Sequence, residues 1–322
     1  MRSFKRVVVL LIVATLAACA NTLEDNVAQN VAQNVVQEDG WAHMYDLNTP
    51  HQYHNGVVAD GKIFAVGGSQ PITRDPAEFE QYDPTTNRWT ILPNMPTPRV
   101  FLGAAAVQNR IYTIGGIGDS LDYHATVEVY DLVNNTWNER ADLPTPRNRL
   151  AAIAFNGNIY AIGGLSPQGD TDIVEAYDPD SDSWVRKANM PTSRHGHSAV
   201  VVDDIILVIG GYSAGPIATV EAYNPATDQW SKKADMPTPR GFLGVAFAKG
   251  HVYAIAGRVS DNPIERYDPN ADVWEGLGPM PGSFRNRFGI GVVDDLIYVI
   301  GGEFQGDPRI PISVLRYEPE DN

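Results

Sequence analysis

Residues 156–184, NGNIYAIGGLSPQGDTDIVEAYDPDSDSW, hold in order a turn, an apolar run, a double glycine, a second apolar run ending in tyrosine, and a tryptophan. Asn156-Gly157 suits a tight hairpin, because both residue types tolerate the positive φ such turns require. The run after it, ended by Gly163-Gly164, reads as a short buried strand. The run ending at Tyr177 reads as another, Asp178-Pro179 starts a turn, and Trp184 opens a further strand. With the apolar stretch before Asn156, this makes four strands, a to d, in one antiparallel unit.

The same order recurs along most of the chain. Trp41, Trp89, Trp137, Trp184, Trp230 and Trp274 are spaced at intervals in the forties. Double glycines stand at Gly67-Gly68, Gly115-Gly116, Gly163-Gly164, Gly210-Gly211 and Gly301-Gly302, with Ala256-Gly257 in the remaining place. Tyr82, Tyr130, Tyr177, Tyr223, Tyr267 and Tyr317 end the third strands.

Gly-Gly, then Tyr, then Trp at this period resembles the Kelch motif, and the resemblance covers residues 41–322. It implies an all-β fold, a six-bladed β-propeller with one four-stranded blade per repeat. A lone four-stranded sheet cannot bury both faces; ringed against neighbours it can, and the Tyr and Trp rings supply large buried area between blades. The last repeat reaches Tyr317 without a following Trp, whereas Trp41 has no Gly-Gly or Tyr ahead of it. Residues 41–47 are therefore expected to supply strand d of the last blade, so that an N-terminal strand closes the ring and leaves no free sheet edge.

Ahead of the repeats, Arg2, Lys5 and Arg6 precede an apolar run that is short for a membrane span. It ends in Leu16-Ala17-Ala18-Cys19, which resembles the bacterial lipobox, where cleavage precedes the Cys and its thiol is lipidated. The expected parts are a signal peptide over 1–19 with lipidation at Cys19, a flexible polar tether over 20–40, and the propeller over 41–322. Ala20 after the Cys, by resemblance to Gram-negative lipoproteins, implies export across the inner membrane and anchoring at the outer membrane, facing the periplasm. Cys19 is the only cysteine, so neither disulfides nor Cys metal ligands are expected. A formal net charge of −15 argues against nucleic-acid binding, and membrane contact is expected through the lipid alone.

Antiparallel strands put the b–c loops and the d–a links on one face. Nearly all length variation among repeats falls in the b–c loops, so specificity is expected there. The d–a links carry His51, Arg99, Arg147, Arg194, Arg240 and Arg285; two residues before each Tyr stand Glu80, Glu128, Glu175, Glu221, Glu265 and Leu315. Each Glu is expected to pair with the next link Arg in the sequence, as with Glu175 and Arg194, leaving Leu315 and His51 as a matched absence. Two residues past the links the repeats diverge into Tyr53, Phe101, Arg149, Gly196, Phe242 and Arg287. These lie near the channel mouth, with Arg149 opposite Arg287 and Phe101 opposite Phe242. Guanidiniums suit carboxylates and phosphates, and flanking aromatics suit a sugar or a peptide side chain. Arg149, Arg287, Tyr53, Phe101 and Phe242 are therefore candidate ligand-binding residues, joined by His124, His197 and Glu303 as groups able to exchange protons.

His195-Gly196-His197 places two imidazoles on one side of a strand, but no further ligand set accompanies them, so no metal and no cofactor is expected. Galactose-oxidase-like enzymes share Kelch repeats, yet their copper site uses a Cys–Tyr crosslink, and the sole Cys here serves the anchor. The sequence thus points first to a cell-envelope binding or scaffold propeller, recognising a protein partner or a small acidic or carbohydrate ligand on the b–c/d–a face. The alternative is an enzyme. Some bacterial periplasmic Kelch propellers resemble this chain in size and location and act as sialic-acid epimerases or mutarotases. On that reading Arg149 and Arg287 hold the carboxylate, and Glu303, His124 or His197 transfers protons.

Overall fold

The computed structural model describes residues 40–49, 52–68, 78–118, 121–282, 285–304 and 313–320. Cys19, the leader and the tether expected before residue 40 lie outside the described residues. Six four-stranded antiparallel sheets make up the blades. In blade 3, Ala151–Phe155 (strand a) pairs with Asn158–Ile162 (b), which pairs with Val174–Asp178 (c) and then Ser183–Arg186 (d). The other blades repeat that order. Blade 6 takes its outermost strand, Trp41–His43, from the start of the propeller, in register Trp41 to Tyr317 and His43 to Leu315 against Val314–Tyr317. The N-terminal closure expected from the truncated last repeat is therefore the one observed.

The core is divided into wedges, one between each neighbouring pair of blades. Between blades 4 and 5, for example, Val200, Leu207, Ile209 and Val220 pack on Val245, Val252, Ala254 and Tyr267. The repeated Tyr and Trp make tilted ring pairs, such as Tyr177 and Trp184 with centroids 5.1 Å apart. The Trp residues of blades 1 to 5 then staple each blade to the previous one: Trp184 Nε1 donates to the Ala141 carbonyl at 2.9 Å and Trp230 Nε1 to that of Ala188 at 3.0 Å, with Trp89, Trp137 and Trp274 doing the same.

A second staple, at Asn87, Asn135, Asp182, Asp228 and Asp272, lies five residues past the Tyr of blades 1 to 5. Asp182 accepts the Tyr177 hydroxyl at 2.6 Å and the Ala141 backbone N–H of the previous blade at 2.9 Å. Asp228 and Asp272 repeat this with Tyr223 and Ala188, and with Tyr267 and Ala234. These donations hold the three carboxyls below the usual carboxylate range. The staple residues have positive φ, from 49° at Asp182 to 55° at Asn135, where Asn and Asp are better tolerated than most side chains. Asn135 takes its Tyr hydroxyl at 3.0 Å, but the equivalent backbone donor is replaced by Pro93, whose carbonyl still receives Trp137 Nε1.

The link arginines are buried and ion-paired, but not with the expected partners. Arg99 meets Glu128 at 2.6 Å, Arg147 meets Glu175 at 2.5 Å, Arg194 meets Glu221 at 2.6 Å and Arg240 meets Glu265 at 2.6 Å. Each Arg thus pairs with the Glu that follows it in the chain. The link opens a blade, and its Arg drops onto strand c of that same blade, so the pairing expected of Glu175 with Arg194 is wrong by one blade. The matched absence dissolves as well. Glu80, in the blade entered from His51, accepts hydrogen bonds from Asn48 and Thr49. Arg285, entering the blade with Leu315, donates to Ser313 Oγ at 2.6 Å.

Candidate functional site at the channel mouth

Strand a is the inner edge of every blade, and the six of them wall a central channel of 490 Å³. Their side chains there are mostly small and apolar, including Ala104, Ala106, Ala152 and Ala154. The inner edges also present backbone groups that no further strand pairs, which suits water better than an apolar guest.

At the b–c/d–a face the channel narrows to a closed circle of backbone hydrogen bonds. Phe101 N–H donates to Tyr53 O at 3.1 Å, Arg149 to Phe101 at 2.8 Å, Gly196 to Arg149 at 2.9 Å, Phe242 to Gly196 at 2.7 Å, Arg287 to Phe242 at 3.2 Å, and Tyr53 to Arg287 at 3.3 Å. Every member is left-handed, with φ of 62°, 55°, 53°, 61°, 54° and 56° from Tyr53 to Arg287. Five of the six are not glycine, so the circle stores backbone strain, of order 1–3 kcal/mol for each such residue. Such strain persists only where the surroundings hold it, and it concentrates at functional sites.

The side chains of this circle gather over the mouth. Phe101 and Phe242, on opposite blades, approach to 6.4 Å between centroids, and Tyr53 lies 4.8 Å from Phe101. The Arg149 guanidinium sits 4.7 Å from the Phe101 ring centre and 5.9 Å from that of Phe242. Arg287 sits 4.6 Å from Phe242, 5.0 Å from Tyr53 and 5.6 Å from Phe101. Two cations therefore share one aromatic cluster, attracted by the ring faces and repelling each other. Burial first, then the charge of Arg287, pulls the Arg149 pKa below the ordinary arginine value. Arg149 Nε is buried and bonds no acceptor among the described residues. A cavity of 130 Å³ lies within the circle, lined by these five side chains and by residues just beneath them.

A second tier surrounds the first. In most blades the residue after the link Arg pairs with the residue after the double glycine: Val100 with Ile117, Asn148 with Leu165, His195 with Tyr212, Asn286 with Glu303. Arg258 N–H likewise donates to Gly241 O at 2.8 Å. Two glycines make room here. A Cβ on Gly196 would lie 2.8 Å from the Phe242 ring, and one on Gly241 would lie 2.5 Å from the Tyr212 ring.

Of the eight residues expected at the site, five meet at the mouth: Tyr53, Phe101, Arg149, Phe242 and Arg287. Glu303 stands in the second tier by its backbone pairing. His124 folds onto its own loop, its Nε2 2.8 Å from where a Gly118 Cβ would be, and burial together with Arg99 pulls its pKa down. His197 is a correction. It is 6% exposed beneath the circle, with Nε2 at 3.1 Å from the Ile162 carbonyl, and burial with the charge of Arg194 lowers its pKa to about 3. An imidazole that stays neutral and faces a carbonyl is a structural group. His195 and His197 do not form a pair either, because His195 points to Asp170 in the loop above. No pattern in the sequence shows that His195 meets Asp170 and stacks on Tyr212.

Residues 41–211 match the family of the KLHDC2/KLHL20/DRC7 Kelch-repeats domain, and residues 193–237 and 239–281 match the Kelch motif. The chain belongs to the Kelch-repeat family. Among curated relatives, human Kelch-like protein 41 is 34% identical over 90 residues, 25% of this chain and 15% of that protein. Human Kelch-like protein 34 is 35% identical over 77 residues, 23% of this chain and 12% of that one. The match therefore spans a small part of those longer Kelch proteins. Among solved structures, that titled "Structure of YjhT" superposes with a TM-score of 0.71 at 17% identity, covering 82% of this chain and 93% of that one. This likeness is one of fold, and it extends over nearly the whole Kelch ring.

Proposed function

We propose that this Kelch propeller is a binding module of the cell envelope, held by lipid on Cys19, whose channel mouth takes a carboxylate-bearing ligand. The observation that carries the reading is the cluster of Arg149 and Arg287 on the faces of Phe101, Phe242 and Tyr53. The two guanidiniums repel, one of them has a buried N–H bonded to no described acceptor, and a carboxylate relieves both conditions through charge-assisted hydrogen bonds. The flanking rings offer apolar faces for the carbon skeleton of a sugar acid, or of an acidic side chain on a protein partner.

The test is a thermal-shift and calorimetric titration of the full chain with glucuronic acid, N-acetylneuraminic acid and their neutral counterparts. The acids are expected to bind and the neutral sugars to bind at least tenfold more weakly, with affinity falling as salt rises. Equal affinity for acid and neutral sugar removes the carboxylate reading. Silence towards all of them, with capture of an acidic peptide, moves the ligand to a protein partner. The second reading, an isomerase of acidic sugars, needs a proton-transfer group at the same mouth. His197 does not supply it.

A further inference from the structure

We propose that the mouth is built as two matching halves and holds both carboxylates of a small dicarboxylate, one on Arg149 and one on Arg287. The inference rests on the carboxylate-binding reading above and names the class of ligand.

The inner ends of the blades repeat in threes as well as singly. Blades 1 and 4 place His54 and His197 just past the circle. Blades 2 and 5 share Phe-Leu-Gly, at 101–103 and 242–244, and blades 3 and 6 share Arg-Asn-Arg, at 147–149 and 285–287. Three blades are half a turn of the ring, so each of these residues faces its copy across the channel.

The distances follow the same two-fold. Arg149 stands 4.7 Å from the Phe101 ring centre and Arg287 4.6 Å from that of Phe242. The crossed pairs, Arg149 with Phe242 and Arg287 with Phe101, are 5.9 and 5.6 Å. Beneath them Asn55 Nδ2 donates to Leu102 O at 3.4 Å, and Ser198 Oγ donates to Leu243 O at 2.7 Å. Asn148 Oδ1 and Asn286 Oδ1 are alike too, each buried and bonded to no described donor. The circle departs from the two-fold at Tyr53 and Gly196, and there Tyr212, just past the double glycine of blade 4, restores the balance. Tyr53 lies 4.8 Å from Phe101 and Tyr212 lies 5.5 Å from Phe242, so each phenylalanine keeps a tyrosine neighbour.

A single carboxylate answers one guanidinium and leaves its copy charged on an equivalent ring. Two carboxylates on one skeleton answer both, and the second engages without a second loss of translational freedom. The other charges acting on Arg149, Arg258 and Asp170, are of opposite sign, so the surplus stays with the matched pair. Both guanidiniums lie within 5.9 Å of the Phe242 ring centre, and the cavity holds 130 Å³, so the spacer between the carboxylates is short.

The probes are succinate, butyrate, fumarate and maleate, titrated calorimetrically into the full chain in mildly alkaline buffer, where the diacids are dianions. Succinate is expected to bind one per chain, about tenfold or more tighter than butyrate. Fumarate and maleate carry equal charge at different carboxylate spacings, so their affinities are expected to differ. Arg149→Gly and Arg287→Gly suit the positive φ of the circle, and an unchanged unfolding midpoint checks each variant's fold. Each is expected to lower succinate affinity by about tenfold, to within about threefold of the other. Butyrate binding as tightly as succinate overturns the dicarboxylate and leaves the single-carboxylate reading standing. Equal affinity for fumarate and maleate reduces the effect to charge alone and overturns the two-point contact. A loss confined to one of the two variants overturns the matched halves. No binding of any of the four acids, or of the sugar acids above, overturns this inference and the carboxylate reading together.

Discussion

Arg147 and Arg149 are two residues apart on the same link, yet they occupy opposite physical situations. Arg147 is fully buried, and its guanidinium bonds Glu175 at 2.5 Å and the carbonyls of Gly163, Thr145 and Ala161 at 2.8, 2.8 and 3.0 Å. Arg149 lies on phenylalanine faces, on a left-handed backbone, facing a second cation. The first arrangement satisfies a charge completely and leaves nothing for a ligand. The second keeps a charge partly desolvated and incompletely bonded, which costs stability and favours an anion. Repetition marks the difference, since the Arg147 socket recurs in four blades and the Arg149 position changes residue in nearly every one.

The contrast can be broken most forcefully at Arg147. Arg147→Ala leaves Glu175 charged and buried, and is expected to cost about 3–5 kcal/mol in chemical denaturation. Arg147→Met with Glu175→Leu is expected to recover most of that loss, while pairing a Glu175 change with one at Arg194 recovers none. Rescue by Arg194 instead would restore the pairing read from sequence order.

Acid probes the layer beneath the mouth. His197 has a folded pKa of about 3, below its unfolded value, so folding excludes a proton between those values. Its contribution is present at neutral pH and is lost as pH falls from about 6.5 towards 3, a change on the order of 4 kcal/mol for complete protonation. His197→Gln is expected to show a shallower fall of the unfolding midpoint over that range; an identical slope removes His197 as a cause of acid sensitivity.

Arg149→Gly sharpens the comparison from the other side. Glycine accepts the positive φ of the circle, as Gly196 already does, so stability is expected to hold or rise by about 1 kcal/mol. Acidic-sugar affinity is expected to drop at least tenfold. A stability loss as large as that of Arg147→Ala would make Arg149 another structural arginine. The smallest effect is expected at the outer staple: Asp182→Ala removes acceptors from Tyr177 and Ala141 and should cost about 1–2 kcal/mol by thermal unfolding, with acidic-sugar binding unchanged.

The ring of blades was legible because its determinants repeat. Gly-Gly, Tyr and Trp recur in phase, and the orphaned Trp41 announced the closure. Half of the Arg–Glu pattern was legible in the same way. Co-occurrence showed that these residues belong together, but order along the chain does not say onto which strand c a link folds, and the neighbouring blade was chosen. The staple at Asn87, Asn135, Asp182, Asp228 and Asp272 was present at fixed spacing from each Tyr and went unread. At the mouth, the constant link length located Arg149, Arg287 and the aromatics by register alone. Asp170 sits in a loop of individual length and sequence, so periodicity carries no information about its meeting with His195. The one available signal was His195 itself, an imidazole where its counterparts are Gln, Val, Asn, Gly and Asn.

The closing strand also gives the disc a direction. Trp41 pairs with Tyr317 at the c–d turn end of blade 6, and Gly40 O receives the Glu318 N–H at 2.9 Å beside it. The chain therefore enters the ring on the side opposite Arg149 and Arg287. If a lipid at Cys19 holds the protein to a bilayer, its attachment reaches the disc on the face away from Arg149 and Arg287 and leaves the mouth uncovered by the point of anchorage.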